Sequence, residues 1–228
     1  MSVFDQFDRV RIVNLPERQD RRAEMTRELH DIGVPVGKKV QFHNARRMKD
    51  AGPFRRLGSH GNYLSQLAIL EEALAAGESV LILEDDCQFL ESAKTYECPP
   101  GTDIFYGGFY KLSDHADLGE ADVMGSHFMA FSVPVIEKLV PFLRSLLDLE
   151  TPIDPAVVRS DFDPAVRPSI DGAYIWFRRY HPEFATSFER LAIQRASASD
   201  VAERKWFDRV PGLRRLANRA RRVKERLG

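Results

Sequence analysis

From residue 9 onward, short apolar runs alternate with longer stretches of helical period, and this alternation predicts the fold. The segment RVRIVN at 9–14 reads as a first strand, broken at Leu15-Pro16. Residues 17–32 then read as a helix, with Ala23, Met25, Leu29 and Ile32 set among charges and Gly33 as its stop. A second strand is expected at 36–42 and a polar, basic surface loop at 45–57. A strong helix follows at 60–76, with Tyr63, Leu67, Leu70 and Leu74 on one stripe and Gly77 ending it. The nearly continuous apolar run SVLIL at 79–83 suits a central strand covered on both faces. Further strands are expected at 103–106, ending at Gly107-Gly108, and at 128–132. Helices are expected at 134–147, with Pro134 in the first turn, and at 170–180, ended by Pro182. Residues 151–168 carry four prolines and no period, and read as a loop. Strands alternating with helices through the first 150 residues predict an α/β sandwich with a mostly parallel sheet.

Composition narrows this picture without redirecting it. The 228 residues suffice for one α/β domain with a full core. Apolar residues make up 43%, yet no run reaches the roughly 18 that a membrane span needs. The segment MSVFDQFDRVRIV places acids where a signal peptide carries positive charge, so a cytoplasmic protein is expected. The two cysteines, Cys87 and Cys98, are too few for a disulfide framework or a zinc quartet and read as reduced thiols in or near the core.

The net charge of −1 hides an asymmetry. Residues 203–228 hold ten Arg or Lys against three acids, whereas 1–202 hold 23 basic residues against 31 acids. The expected organisation is therefore a catalytic or binding domain over 1–202 and a basic tail over 203–228, with no general nucleic-acid surface on the body. Within the tail, Leu213, Leu216, Ala217, Ala220, Val223 and Leu227 share one helical face, and arginines crowd the others. Residues 212–227 thus read as a basic amphipathic helix. It suits an anionic membrane surface, with Trp206 and Phe207 as interfacial anchors, or equally docking on the acidic body.

The candidate chemistry lies where 79–83 runs straight into Glu84, Asp85 and Asp86. Ligands in open α/β sheets bind outside the carboxyl ends of strands. Three adjacent acids there repel one another unless a cation neutralises them, and Mg²⁺ or Mn²⁺ shares carboxylate oxygens with substrate phosphates. The plain alternative is a solvated turn. A receiver domain, whose first strand also ends in paired acids, does not fit: 78 residues precede this strand, and MGSHFMAFS offers no phosphoacceptor Asp. A nucleotidyltransferase would show a glycine-rich basic loop after the first strand, and none is present.

Four segments in order resemble glycosyltransferase family 25, the lipopolysaccharide and collagen galactosyltransferase group. IVNLPERQDRR resembles that family's opening pattern. GSHGNYLSQLAILEEALAAGESVLILEDD resembles its Ser-His helix followed by a strand and acidic triplet. MGSHFMAFS resembles its Gly-Thr-His strand, with Ser126 in place of Thr, and SIDGAYIWF places an Asp at a helix start. The resemblance implies a GT-A-type, Rossmann-like sandwich. It also implies an inverting, Mn²⁺- or Mg²⁺-dependent transfer of a hexose, often galactose, from a UDP-sugar to a cell-surface glycan or lipid-linked acceptor.

On that resemblance, Asp86 and Asp85 are metal candidates, with His181 as a further one, and Glu84 and Asp85 also face the donor. Asn14, Arg18 and Arg22 follow the first strand, where base and phosphates would lie; the arginines read equally as the wet face of a helix. Ser59 and His60 would meet donor phosphate at a helix start, although Ser59 is also a good N-cap. Gly107, Gly108 and His127 would line the acceptor side of the cleft. Asp171 would be the base that deprotonates the acceptor, or simply the cap of its helix. A catalytically silent sugar- or nucleotide-binding module on the same fold is the alternative function.

Overall fold

The computed structural model describes residues 2–111, 123–154, 157, 163 and 165–195. The basic tail at 203–228 lies outside the described residues. The elements run α1 (Val3–Gln6), β1 (Arg9–Asn14), α2 (Gln19–Asp31), β2 (Val40–Asn44), α3 (Leu57–Ala76), β3 (Val80–Glu84), β4 (Cys87–Phe89), β5 (Ile104–Lys111), β6 (Val123–Phe131), α4 (Val133–Ser145), α5 (Ile170–Tyr180), β7 (Thr186–Phe188) and β8 (Ala192–Gln194). A single 3₁₀ turn, Glu91–Lys94, follows β4.

Six strands form one sheet in the order β2-β1-β3-β6-β5-β7. The pairs β1–β2, β1–β3 and β5–β7 are parallel, and β6 runs antiparallel to both β3 and β5. The sheet is therefore mostly parallel, with one reversed strand in its interior. Its carboxyl edge carries the ends of β1 and β3 together with the beginning of β6.

β3 sits at the centre because both of its faces are apolar. Val80 and Ile82 join the core under α3, α4 and α5, whereas Leu81 and Leu83 join the opposite core under α1 and α2. Helices on both faces of a mostly parallel sheet make the expected α/β sandwich. Both cysteines are buried and unpaired.

Several boundaries differ from the sequence expectation. β2 begins at Val40, because residues 37–40 form a turn in which the Gly37 amide donates to the Val40 carbonyl. β5 does not end at Gly107-Gly108 but continues to Lys111. β6 begins at Val123 and carries a bulge: Gly108 pairs with Phe128, but Tyr110 pairs with Met124. Gly125, inside that bulge, has φ 118°, and a Cβ there would lie 3.0 Å from the Gly108 carbonyl oxygen. Only glycine fits this backbone.

Candidate active site

A cavity of about 250 Å³ opens at the carboxyl edge of β1 and β3. Its lining includes Glu84, Asp85, Asp86 and Asp171, along with Arg21, Asn62, Ser126 and Gln194. Arg46 and Arg47 lie on the β2 side, and Tyr110 and Met124 on the β5–β6 side.

The three acids after β3 have different surroundings. Asp85 is fully engaged: Asn14 Nδ2 donates to its Oδ2 at 2.7 Å, and Arg21 Nη1 donates to its Oδ1 at 2.7 Å. Asn14 is 2% exposed and Arg21 8%, so this is a buried, neutralised pair rather than an open ligand. Arg195 closes the turn from the far end of the chain. Its Nη2 donates to the Asp85 carbonyl at 2.9 Å, its amide donates to the Asp86 carbonyl at 2.8 Å, and its guanidinium pairs with Glu24 at 3.2 Å.

Asp86 is left with a buried Oδ1 that has no hydrogen-bond partner among the described residues. Burial raises its pKa to about 6, opposed by Arg21 and reinforced by Asp85. Glu84 is held in an amide cage. Asn62 Nδ2 donates to it at 2.9 Å, the Ser126 hydroxyl at 3.0 Å, Gln194 Nε2 at 3.2 Å and Gln66 Nε2 at 3.4 Å. Tyr174 in turn donates to Gln66 Oε1 at 2.8 Å, fixing that amide. Burial pushes the Glu84 carboxyl up to about 8; the charges of Asp86 and Asp171 add to the rise, and the Asn62 and Ser126 bonds oppose it.

Asp171 occupies the first turn of α5, whose N-cap is Ser169. It is thus the second residue of the helix rather than the cap. Burial raises its pKa, while hydrogen bonds from Ser126 and from the backbone at Gly125 lower it. Its Oδ1, like that of Asp86, is buried without a partner among the described residues. Asp86 and Asp171 thus line the cavity, and each keeps one buried carboxylate oxygen without a partner among the described residues.

Other candidates fall elsewhere. Arg18 pairs with Asp20 at 2.9 Å on the surface, and Arg22 lies 4.1 Å from the centroid of the Phe42 ring. Ser59 is not an N-cap: α3 starts at Leu57 after Arg56, and the His60 amide already donates to the Arg56 carbonyl. The His60 ring latches the preceding loop, with Nδ1 3.0 Å from the Asp50 carbonyl and Phe54 packed against it. Gly107 and Gly108 do not line the cavity. A Cβ at Gly107 would strike the Phe128 ring at 2.7 Å, and one at Gly108 the His127 ring at 2.2 Å, so both serve packing. His127 is 1% exposed, with Nε2 3.3 Å from the Ala192 carbonyl, and burial lowers its pKa to about 4. His181 closes the opposite end of α5 from Asp171, pairs with Glu183 at 2.8 Å and packs against Phe177. It is no neighbour of the acids.

Arg21, Asn62, Gln66 and Gln194 went unrecognised in the sequence, yet three carry a signal. Arg21 stands one turn before Met25 and two before Leu29 on the buried face of α2. Asn62 and Gln66 are spaced i, i+4 on α3, next to its apolar stripe. Gln194 has no such signal, because β8 is only three residues long.

Among the described residues no three His, Cys, Asp or Glu side chains converge as a metal-binding group, and no helix is long and apolar enough to cross a membrane. No family model matches the chain, and no curated protein matches it. Among solved structures, the chain is similar to the crystal structure of a glycosyltransferase involved in the glycosylation of the major capsid of PBCV-1. That likeness has a TM-score of 0.42 and 8% identity, over 82% of this chain and 93% of the other. At that distance it decides neither family nor chemistry.

Proposed function

We propose that this protein is a glycosyltransferase of the family 25 type. It would transfer a hexose, with galactose the first choice, from a UDP-sugar to a glycan or lipid-linked acceptor with inversion. The observation that carries the reading is the cavity at the carboxyl edge of the sheet, lined by Asp86 and Asp171, each with a buried oxygen that has no partner among the described residues. The four family-like segments supply wall residues in chain order: Arg21, Asn62, Glu84 to Asp86, Ser126 and Asp171.

In this reading Asp171 is the base. Its carboxylate takes the proton of the acceptor hydroxyl, the acceptor oxygen bonds to the anomeric carbon, and the carbon–oxygen bond to UDP breaks with the electron pair leaving on the diphosphate. Burial favours this role by making the carboxylate a stronger base than an exposed aspartate. Asp85 holds the acidic turn through Asn14 and Arg21, so its place is structural. Asp86, which lines the cavity, would hold a divalent cation together with the donor's own phosphates, since Mg²⁺ commonly uses one or two carboxylates and substrate oxygens. Such an ion would supply positive charge beside the leaving diphosphate. The basic tail at 212–227 would keep the enzyme at an anionic, cytoplasmic membrane face near lipid-linked acceptors.

Release of UDP from UDP-galactose in the presence of Mn²⁺ tests the reading. Asp171→Asn is expected to lower kcat by about 10²–10⁴-fold with the fold intact by circular dichroism. Wild-type turnover in that variant removes the base. UDP-sugar binding without any UDP release points instead to a binding module.

A further inference from the structure

We infer that Tyr110 and Met124 form the acceptor wall of this cavity and that it takes a neutral pyranose, with the ring's apolar face on Tyr110 and its hydroxyls toward Asp171 and Asp86. The inference rests on the glycosyl-transfer reading and adds the class of acceptor.

Large apolar side chains exposed at the surface are few among the described residues. Three of the six, Leu57, Tyr110 and Met124, line this one cavity. Tyr110 and Met124 are 41% and 42% exposed and are direct cross-strand partners on β5 and β6. Facing residues in an antiparallel pair hold their side chains side by side, so the two make one continuous surface. Their exposure carries a hydration cost that a ligand face would relieve.

The polar atoms beside this surface specify what that ligand must offer. Gly125 and Ser126 follow Met124 directly and hold Asp171. Asp171 Oδ1 and Asp86 Oδ1 are acceptors without donors. The nearby amides of Asn62, Gln66 and Gln194 each donate to Glu84. With the carboxyl groups of Asp86 and Asp171 beside it, the wall suits hydroxyl donors and disfavours an anion. A pyranose meets both demands, because it has an apolar C–H face and a rim of hydroxyls. A uronic acid does not, because its carboxylate only accepts.

The exposed cations sit at the other end. Arg46 and Arg47 line the cavity after β2, at the outer edge of the sheet order, whereas Tyr110 lies on β5 beyond β3 and β6. An anionic diphosphate is matched by the arginine side, which leaves the tyrosine side for the neutral partner.

The test uses the full chain with UDP-galactose and four probes: methyl β-galactoside, methyl β-glucoside and the two corresponding uronates. The expected result is acceptance of the neutral glycosides with kcat/KM at least about 100-fold above the uronates. Tyr110→Ala is expected to raise the acceptor KM about tenfold without a matching rise in donor KM, and Tyr110→Phe to restore it. Uronates accepted as well as neutral glycosides, or an unchanged acceptor KM in Tyr110→Ala, overturn the inference while leaving glycosyl transfer standing. Should no nucleotide sugar release UDP, the transfer reading fails, and saturation-transfer NMR decides the wall alone. Neutral glycoside signals that vanish in Tyr110→Ala uphold it; signals that persist, or none with the wild type, overturn it.

Discussion

The two ends of β3 both carry acids, and they behave differently. Where β3 begins, Glu78 pairs with Arg9, and Asp8 accepts from the Ser79 hydroxyl and amide at 2.6 and 2.8 Å. Glu78 is 42% exposed, and every acid at this end has a near neighbour of complementary character. Where β3 ends, Asp85 and Asp86 are 5% and 9% exposed, and oxygens of Asp86 and Asp171 lack any donor among the described residues. Charge alone does not separate the two ends. Burial with unfilled hydrogen-bonding capacity does, and that is the physical mark of a place built for something else to enter.

The largest break in this contrast comes from Arg21. Arg21→Ala leaves Asp85 buried without its cation, and a loss of about 3–5 kcal/mol is expected in denaturant unfolding. The double variant Arg21→Met with Asp85→Leu should recover much of it, because both charges then leave together.

A smaller effect follows from Glu84. Its native pKa, about 8, lies above its ordinary value of 4.5. The native state therefore binds the proton more tightly, and the stability this contributes is present in acid and lost as pH rises toward 8. Between pH 8.5 and 6.5 the melting temperature should rise as pH falls, and Glu84→Gln should flatten that slope. His127 acts in the opposite sense at the acid end of the window: its native pKa of about 4 lies below its ordinary 6.5, so its cost sets in as pH falls through 6.5. An equal slope in wild type and variant would place the proton elsewhere.

The smallest effect belongs to the beginning of the strand. Glu78→Ala removes a half-exposed pair and should change stability by about 1 kcal/mol in the same assay. A loss as large as that of Arg21→Ala would erase the distinction between the two ends.

Much of the frame was legible in the sequence because long periodic segments carry their own signal. β1 and α5 match the expected residues 9–14 and 170–180, and the two-faced apolar run of β3 marked the sheet centre. What escaped was short or non-local. β4, β7 and β8 have three residues each, too few for a period to show. Ser59 looked like a cap, but the chain enters helix at Leu57, where His60 packs its ring on Phe54. In the cavity, the acids and Asp171 stood out as residue types. Their sorting into engaged Asp85 and unfilled Asp86 depends on Arg21 and Arg195, which sequence distance conceals.

That distance bears on how the molecule assembles. The bonds from Gln194 to Glu84 and from Arg195 to Asp85 each span 110 residues. Contacts so remote close late, because the chain between them must be ordered first, and during synthesis residue 195 emerges long after β3. The nascent chain thus carries an unfinished acidic turn until its eighth strand docks on β4. Competence at the cavity becomes a property of the nearly completed fold and not of the sheet alone.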